Sequence, residues 1–145
     1  MFDYDNPSGI NYTVISKSTT VRGNIKTADP IKVSGRVIGD IDCEKRAAVT
    51  GKVEGNIGSE NFVASNAAVK GNIDCHDQFS ADEDSAIIGD VTAGAATVEG
   101  RVKGNMKIAN EVEVGSTAVI VGDISASNIE VKKGARVSGT LQIDH

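Results

Sequence analysis

One local pattern recurs eight times in 145 residues: a Val or Ile two positions before a glycine, and an aliphatic side chain or Met two positions after it. It reads Val21-Arg-Gly23-Asn-Ile25, Val37-Ile-Gly39-Asp-Ile41, Val53-Glu-Gly55-Asn-Ile57 and Val69-Lys-Gly71-Asn-Ile73. It continues as Ile87-Ile-Gly89-Asp-Val91, Val102-Lys-Gly104-Asn-Met106, Ile120-Val-Gly122-Asp-Ile124 and Val137-Ser-Gly139-Thr-Leu141. The glycines step by 16, 16, 16, 18, 15, 18 and 17 residues. A period of this size belongs to a solenoid, because a β-propeller blade needs about 40 to 45 residues and a leucine-rich repeat about 20 to 29.

Each unit alternates with period two. Four residues after the glycines stand Thr27, Cys43, Ser59, Cys75, Ala93, Ile108, Ala126 and Ile143, so the positions −2, +2 and +4 share one side of an extended chain. Halfway to the next glycine a second inward pair recurs: Ile31/Val33, Ala47/Val49, Phe62/Ala64, Phe79/Ala81, Ala96/Val98, Val112/Val114 and Ile129/Val131. Each unit therefore carries more than one strand. The chain has 17 Val and 15 Ile but a single Leu, Leu141, which excludes an all-helical protein and assigns the core to β-branched side chains. A unit traces a path of about 55 Å, enough for one closed turn with three short sides, and turns stacked at about 4.8 Å pair in parallel.

The expected fold is all-β: a single-domain right-handed parallel β-helix (β-solenoid) of about seven to eight rungs, on the order of 34 Å from first glycine to last. The rival is the left-handed β-helix of hexapeptide acyltransferases, which demands an aliphatic at every sixth residue. Variable rung length and an aliphatic spacing of four across the glycine favour the right-handed form, although periodicity alone leaves the hand open. Residues 1–18 read as a partly flexible N-terminal tail, 19–143 as the β-helix core and 144–145 as the C-terminal end.

Charge and motifs narrow the function. A net charge of −5 argues against wrapping nucleic acid or gripping an anionic bilayer. Arg36, Lys52 and Arg101 share the position three before the glycine, too sparsely for a nucleic-acid groove. The longest apolar run, residues 118–121, is far below the roughly 20 needed to span a bilayer. The N-terminus has no basic and apolar signal-peptide pattern, so a cytoplasmic location is expected. Cys43 and Cys75 occupy one column two rungs apart, about 9.6 Å and beyond disulfide reach, and read as small core fillers. Cys75-His76-Asp77 offers three ligand types, but neighbouring strand residues point to opposite sides and do not converge on one metal. Asp82-Glu83-Asp84 reads as a solvated corner rather than a calcium loop. No Gly-Lys-Ser/Thr element follows the glycines, so no nucleotide, cofactor or catalytic residue is assigned. The Asn/Asp after most glycines is expected to form a polar ladder outside or at a bend, a sugar-binding row being the minor alternative.

The Val-x-Gly-[Asn/Asp]-Ile repeat resembles the bactofilins, a family of polymer-forming bacterial cytoskeletal proteins. The match runs roughly from Thr19 to Ile143. The entry from Tyr12 to Ile25 and the stretch Val49-Thr-Gly-Lys-Val-Glu-Gly-Asn-Ile57 carry it. The resemblance implies a right-handed β-helix, filaments assembled end to end without nucleotide, frequent association with the inner face of the membrane, and scaffolding of cell shape or of envelope and cell-wall proteins. Many relatives carry Pro-rich tails on both sides; here the stretch before Thr19 is short and the chain stops at His145, which weakens the expectation of tail-recruited partners. The family's polymerising rung often presents an aromatic, whereas Val137, Leu141 and Ile143 include none.

The β-helix itself points the same way. Its first and last rungs carry unpaired backbone groups and an uncovered core layer, which template association. The expected self-association residues are Val137, Leu141 and Ile143 at the C-terminal face and Val21 and Ile25 at the N-terminal face. Phe2, Tyr4 and Tyr12 crowd the first twelve residues. That segment reads as a tail over the first rung or as disorder; the sharper alternative is membrane contact through Phe2 and Ile10, opposed by Asp3 and Asp5. The functional expectation is a non-enzymatic homopolymer, with a β-helix enzyme or carbohydrate-binding protein, acyltransferase-like or polysaccharide-acting, as the alternative.

Overall fold

The computed structural model describes residues 13–143. These form 22 short strands, with no helix among the described residues, wound as a three-sided β-solenoid of eight rungs whose strand pairings are all parallel.

The first face stacks Thr13–Ile15, Ile31–Val33, Arg46–Val49, Asn61–Ala64, Gln78–Ala81, the C-terminal parts of Val91–Val98 and Met106–Val114, and Asn128–Val131. The second stacks Thr20–Arg22, Arg36–Ile38, Lys52–Glu54, Ala68–Lys70, Ala86–Ile88, Arg101–Lys103, Val119–Val121 and Arg136–Ser138. The third stacks Ile25–Thr27, Ile41–Cys43, Ile57–Ser59, Ile73–Cys75, the N-terminal parts of the two long strands, Ile124–Ala126 and Leu141–Ile143. Thr13–Ile15 lies within the stretch read from sequence as tail. It carries no Val-x-Gly signal because it belongs to the first face, while that signal marks the second.

Register follows the sequence columns. Val21 pairs with Val37, Val37 with Val53, Val53 with Val69 and Val69 with Ile87, and the series continues to Val137. Alternation sends these side chains inward, where in the middle rungs they are fully buried with Ile41, Ile57, Ile73 and Val91. Phe62 and Phe79, on adjacent rungs, stack with ring centroids 5.4 Å apart. Cys43 and Cys75 are free, buried thiols in the same inward column, with Ser59 between them. Each Sγ donates to backbone carbonyls, Cys43 to Asp29 at 3.2 Å and Cys75 to Gln78 at 3.0 Å.

The corner between the second and third faces holds the repeat glycines and the residue after each. Gly71 has φ +145°, a left-handed conformation, and a Cβ there would sit 2.0 Å from the carbonyl oxygen of Gly55 one rung below. The polar neighbours build the expected ladder, with a definite hydrogen-bond direction. The N–H of Asp40 donates to Asn24 Oδ1, that of Asn56 to Asp40 Oδ1, and that of Asn72 to Asn56 Oδ1, at 2.9 to 3.0 Å. The series continues through Asp90, Asn105 and Asp123 to the N–H of Thr140. Each corner N–H, which turns away from the strand ladder, thereby gains an acceptor.

Rung length varies at the other two corners, from one residue at 60 and 127 to three at 28–30 between the third and first faces, and from two to four between the first and second faces. Two residues suffice there in some rungs, as at 34–35, 50–51 and 99–100, whereas four are used at 82–85 and 115–118. Strand register survives because the extra residues stay in the corner; one further irregularity falls between Ala93 and Ala95. Asp82 organises the four-residue corner. Its carboxylate accepts from Ser65 Oγ and Ser85 Oγ at 2.9 Å and from the N–H groups of Asn66 and Asp84 at 3.1 Å. Partial desolvation pushes its pKa up, but the hydrogen bonds from Asn66, Ser85, Ser65 and Asp84 outweigh it and hold the carboxyl below its ordinary value.

Two outcomes follow. Gly71→Ala should lower the unfolding free energy by about 3 kcal/mol or more, from backbone strain plus overpacking, measured by the urea midpoint. Asp82→Ala should lower it by about 1 to 2 kcal/mol at pH 7. The charge-dependent part of the Asp82 contribution is fully present above the unfolded carboxylate value of about 3.9 and fades as pH falls through the lower folded value, so the gap between the two proteins in denaturation curves should narrow as the pH is lowered through that range.

Candidate assembly surfaces

The solenoid ends are built by the same columns that fill its core. At the C-terminal end the last rung consists of Asn128–Val131, Arg136–Ser138 and Leu141–Ile143, each paired on one side only among the described residues. One rung earlier, Val114, Ile120, Ile124 and Ala126 occupy the same columns and are buried. On the last rung the equivalent Val131, Leu141 and Ile143 are 43%, 44% and 52% exposed, while Ile129, Ala135 and Val137 are half-buried. The cause is position alone: an inward side chain is covered by the next rung, and no described residue forms a ninth.

Val137, Leu141 and Ile143, expected from sequence, therefore lie together on one terminal layer. Val131 and Ile129 complete it on the first face. They are legible in the sequence as an inward pair, although the glycine-centred motif marks only the other two faces. A surface ion pair ties this end to the rung below: Lys132 Nζ meets Glu113 Oε1 at 2.7 Å. The hydrogen bond to Glu113, then its charge, raises the Lys132 pKa.

The N-terminal layer is formed by Thr13–Ile15, Thr20–Arg22 and Ile25–Thr27. Val21 and Ile25 lie there, partly buried, joined by Ile15, Thr13 and Thr27. This layer mixes two hydroxyls with three aliphatic side chains, whereas the C-terminal one is aliphatic throughout. Phe2, Ile10 and the other residues before Thr13, like Asp144 and His145, lie outside the described residues.

Elsewhere the surface offers limited chemistry. Cys75 points into the core, and burial pushes its thiol pKa up, away from the reactive thiolate, while His76 and Asp77 stand exposed at the corner. Asp42, Glu44, Glu60, Asp74 and His76 rim a shallow depression over Gly58, which has no side chain to fill it. Among the described residues no three or more His, Cys, Asp or Glu are arranged to hold a metal ion. No helix there is long and apolar enough to cross a membrane.

No curated protein and no solved structure matches the chain significantly. A family described as polymer-forming cytoskeletal does, over residues 13–65 and again over 49–142. The two matched stretches overlap, as a repeat permits, and together take in nearly every rung. With an eight-rung parallel solenoid bearing an aliphatic terminal layer, this match over most of the sequence places the chain in the bactofilin family of polymer-forming cytoskeletal proteins.

Proposed function

We propose that the protein is a structural subunit that assembles end to end into nucleotide-independent filaments, and that these filaments act as a cytoplasmic scaffold for cell shape or for positioning envelope and cell-wall proteins. Membership of a polymer-forming cytoskeletal family supports self-association in general. The observation that carries the end-to-end reading is the C-terminal layer, where Val131, Leu141 and Ile143 are about half exposed in columns that are buried one rung earlier. Completing the burial of each contributes on the order of 1 kcal/mol, too little alone against an association cost of about 4 kcal/mol or more. The open strand edges on three faces add backbone hydrogen bonds to the same contact. A long contact of this kind needs no bound ligand to hold it.

In this reading Val137, Leu141 and Ile143 form one contact surface, with Val131 added, and Val21 and Ile25 belong to the other end. The role is structural rather than catalytic. Phe2 and Ile10 are a secondary proposal as a membrane-touching segment on the inner face of the membrane.

Leu141→Arg places a charge in the centre of the C-terminal layer and should leave monomers or dimers by light scattering, with filaments lost from negative-stain micrographs. Filaments of unchanged length in that variant would sink the end-to-end reading. For the N-terminal segment, Phe2→Ser with Ile10→Ser should reduce co-sedimentation with liposomes; equal sedimentation would remove these two residues from any membrane role.

A further inference from the structure

The second face carries a charge distribution that the whole-chain balance conceals. Its strands hold seven of the chain's 15 Lys and Arg but only one of its 20 Asp and Glu. Arg36, Lys52, Arg101 and Arg136 project from one outward column. Arg22, Lys70 and Lys103 project from the other, and all seven are exposed. The single acid, Glu54, is already engaged by Arg36 Nη2 at 3.3 Å. Arg36 and Lys52 are direct neighbours on adjacent rungs, a like-charge placement that costs stability.

Its shape and apolar content narrow the partner. It is one eight-stranded parallel sheet, about 34 Å tall. Ile88 and Val121 stand 50% and 46% exposed between the basic residues, and Val119 and Ile38 are partly exposed beside them. It contains no aromatic side chain on which bases could stack. We infer that this face docks flat on an anionic phospholipid bilayer, the Lys and Arg meeting headgroup phosphates and the Ile and Val side chains entering the interface. The overall charge of −5 does not oppose this, because screening over about 8 Å lets the nearest face dominate once contact is close. The outward columns of this face are distinct from the inward side chains that form the two end layers, and docking through them needs no filament.

The test uses the full chain and co-sedimentation with phosphatidylcholine vesicles, with and without phosphatidylglycerol. Binding should require phosphatidylglycerol and weaken with added salt. Lys52→Gln, Lys70→Gln and Lys103→Gln together should weaken it on the order of 100-fold. The matched control, Lys26→Gln, Lys32→Gln and Lys107→Gln, removes the same charge from the other two faces and should stay within about twofold of the parent. Circular dichroism melts of both variants report whether the fold is kept, and the same measurements on Leu141→Arg separate docking from assembly. Equal losses in the two lysine variants, an unaffected second-face variant, binding to phosphatidylcholine alone, or tighter binding to duplex DNA than to the anionic vesicles would each overturn the inference.

Discussion

Parallel stacking of equivalent backbone positions, one strand spacing apart, governs this molecule. At about 4.8 Å per rung there is no space at the tight corner for a side chain, so from Gly39 onward the carbonyl of the repeat glycine one rung below occupies the place of a Cβ. The same closeness lets the next residue's side-chain oxygen reach the N–H one rung above, and Asn and Asp are short enough to do so without leaving the corner. Core columns, the Phe62–Phe79 stack and the outward charge columns all inherit their alignment from that corner.

An aligned stack has a second consequence, which concerns its ends. Inside the solenoid each aliphatic layer is covered on both sides, and the cost of ordering a rung is shared with its neighbours. Among the described residues the last layer has the same aliphatic character with one side uncovered, so side chains of the kind that stabilise the interior stand partly exposed there. Thr140 marks this end in the polar column as well. Its N–H donates to Asp123 Oδ1, but it lacks the side-chain carbonyl that would continue the ladder.

Much of the fold was legible because a solenoid repeats its constraints. Eight glycines with aliphatic flanks gave the rung number, and the alternation gave the inward columns that the strand register reproduces from Val21 to Val137. The first strand, Thr13–Ile15, was hidden because no unit of the glycine-centred repeat precedes it. Asp82 looked like one of three solvated acids; its four hydrogen bonds depend on Ser65 and Asn66 arriving from the rung below, a meeting that linear order does not display. The aliphatic layer at the C-terminal end was half visible, through Val137, Leu141 and Ile143, and Val131 joined it only once the three faces were assembled.

Charge shows the division most clearly. Arg36, Lys52 and Arg101 share a column in the sequence, but linear order does not display that this column, with Arg136, lies beside Arg22, Lys70 and Lys103, and the sum over the chain is acidic. The amino-acid sequence by itself determined the repeat, the strand alternation and hence a parallel coil, because hydrophobic periodicity is a local property. Which outward columns share a face, and which terminal side chains stand uncovered, was decided only by the tertiary structure, because both depend on where three separate strands of each turn come to lie when the coil closes.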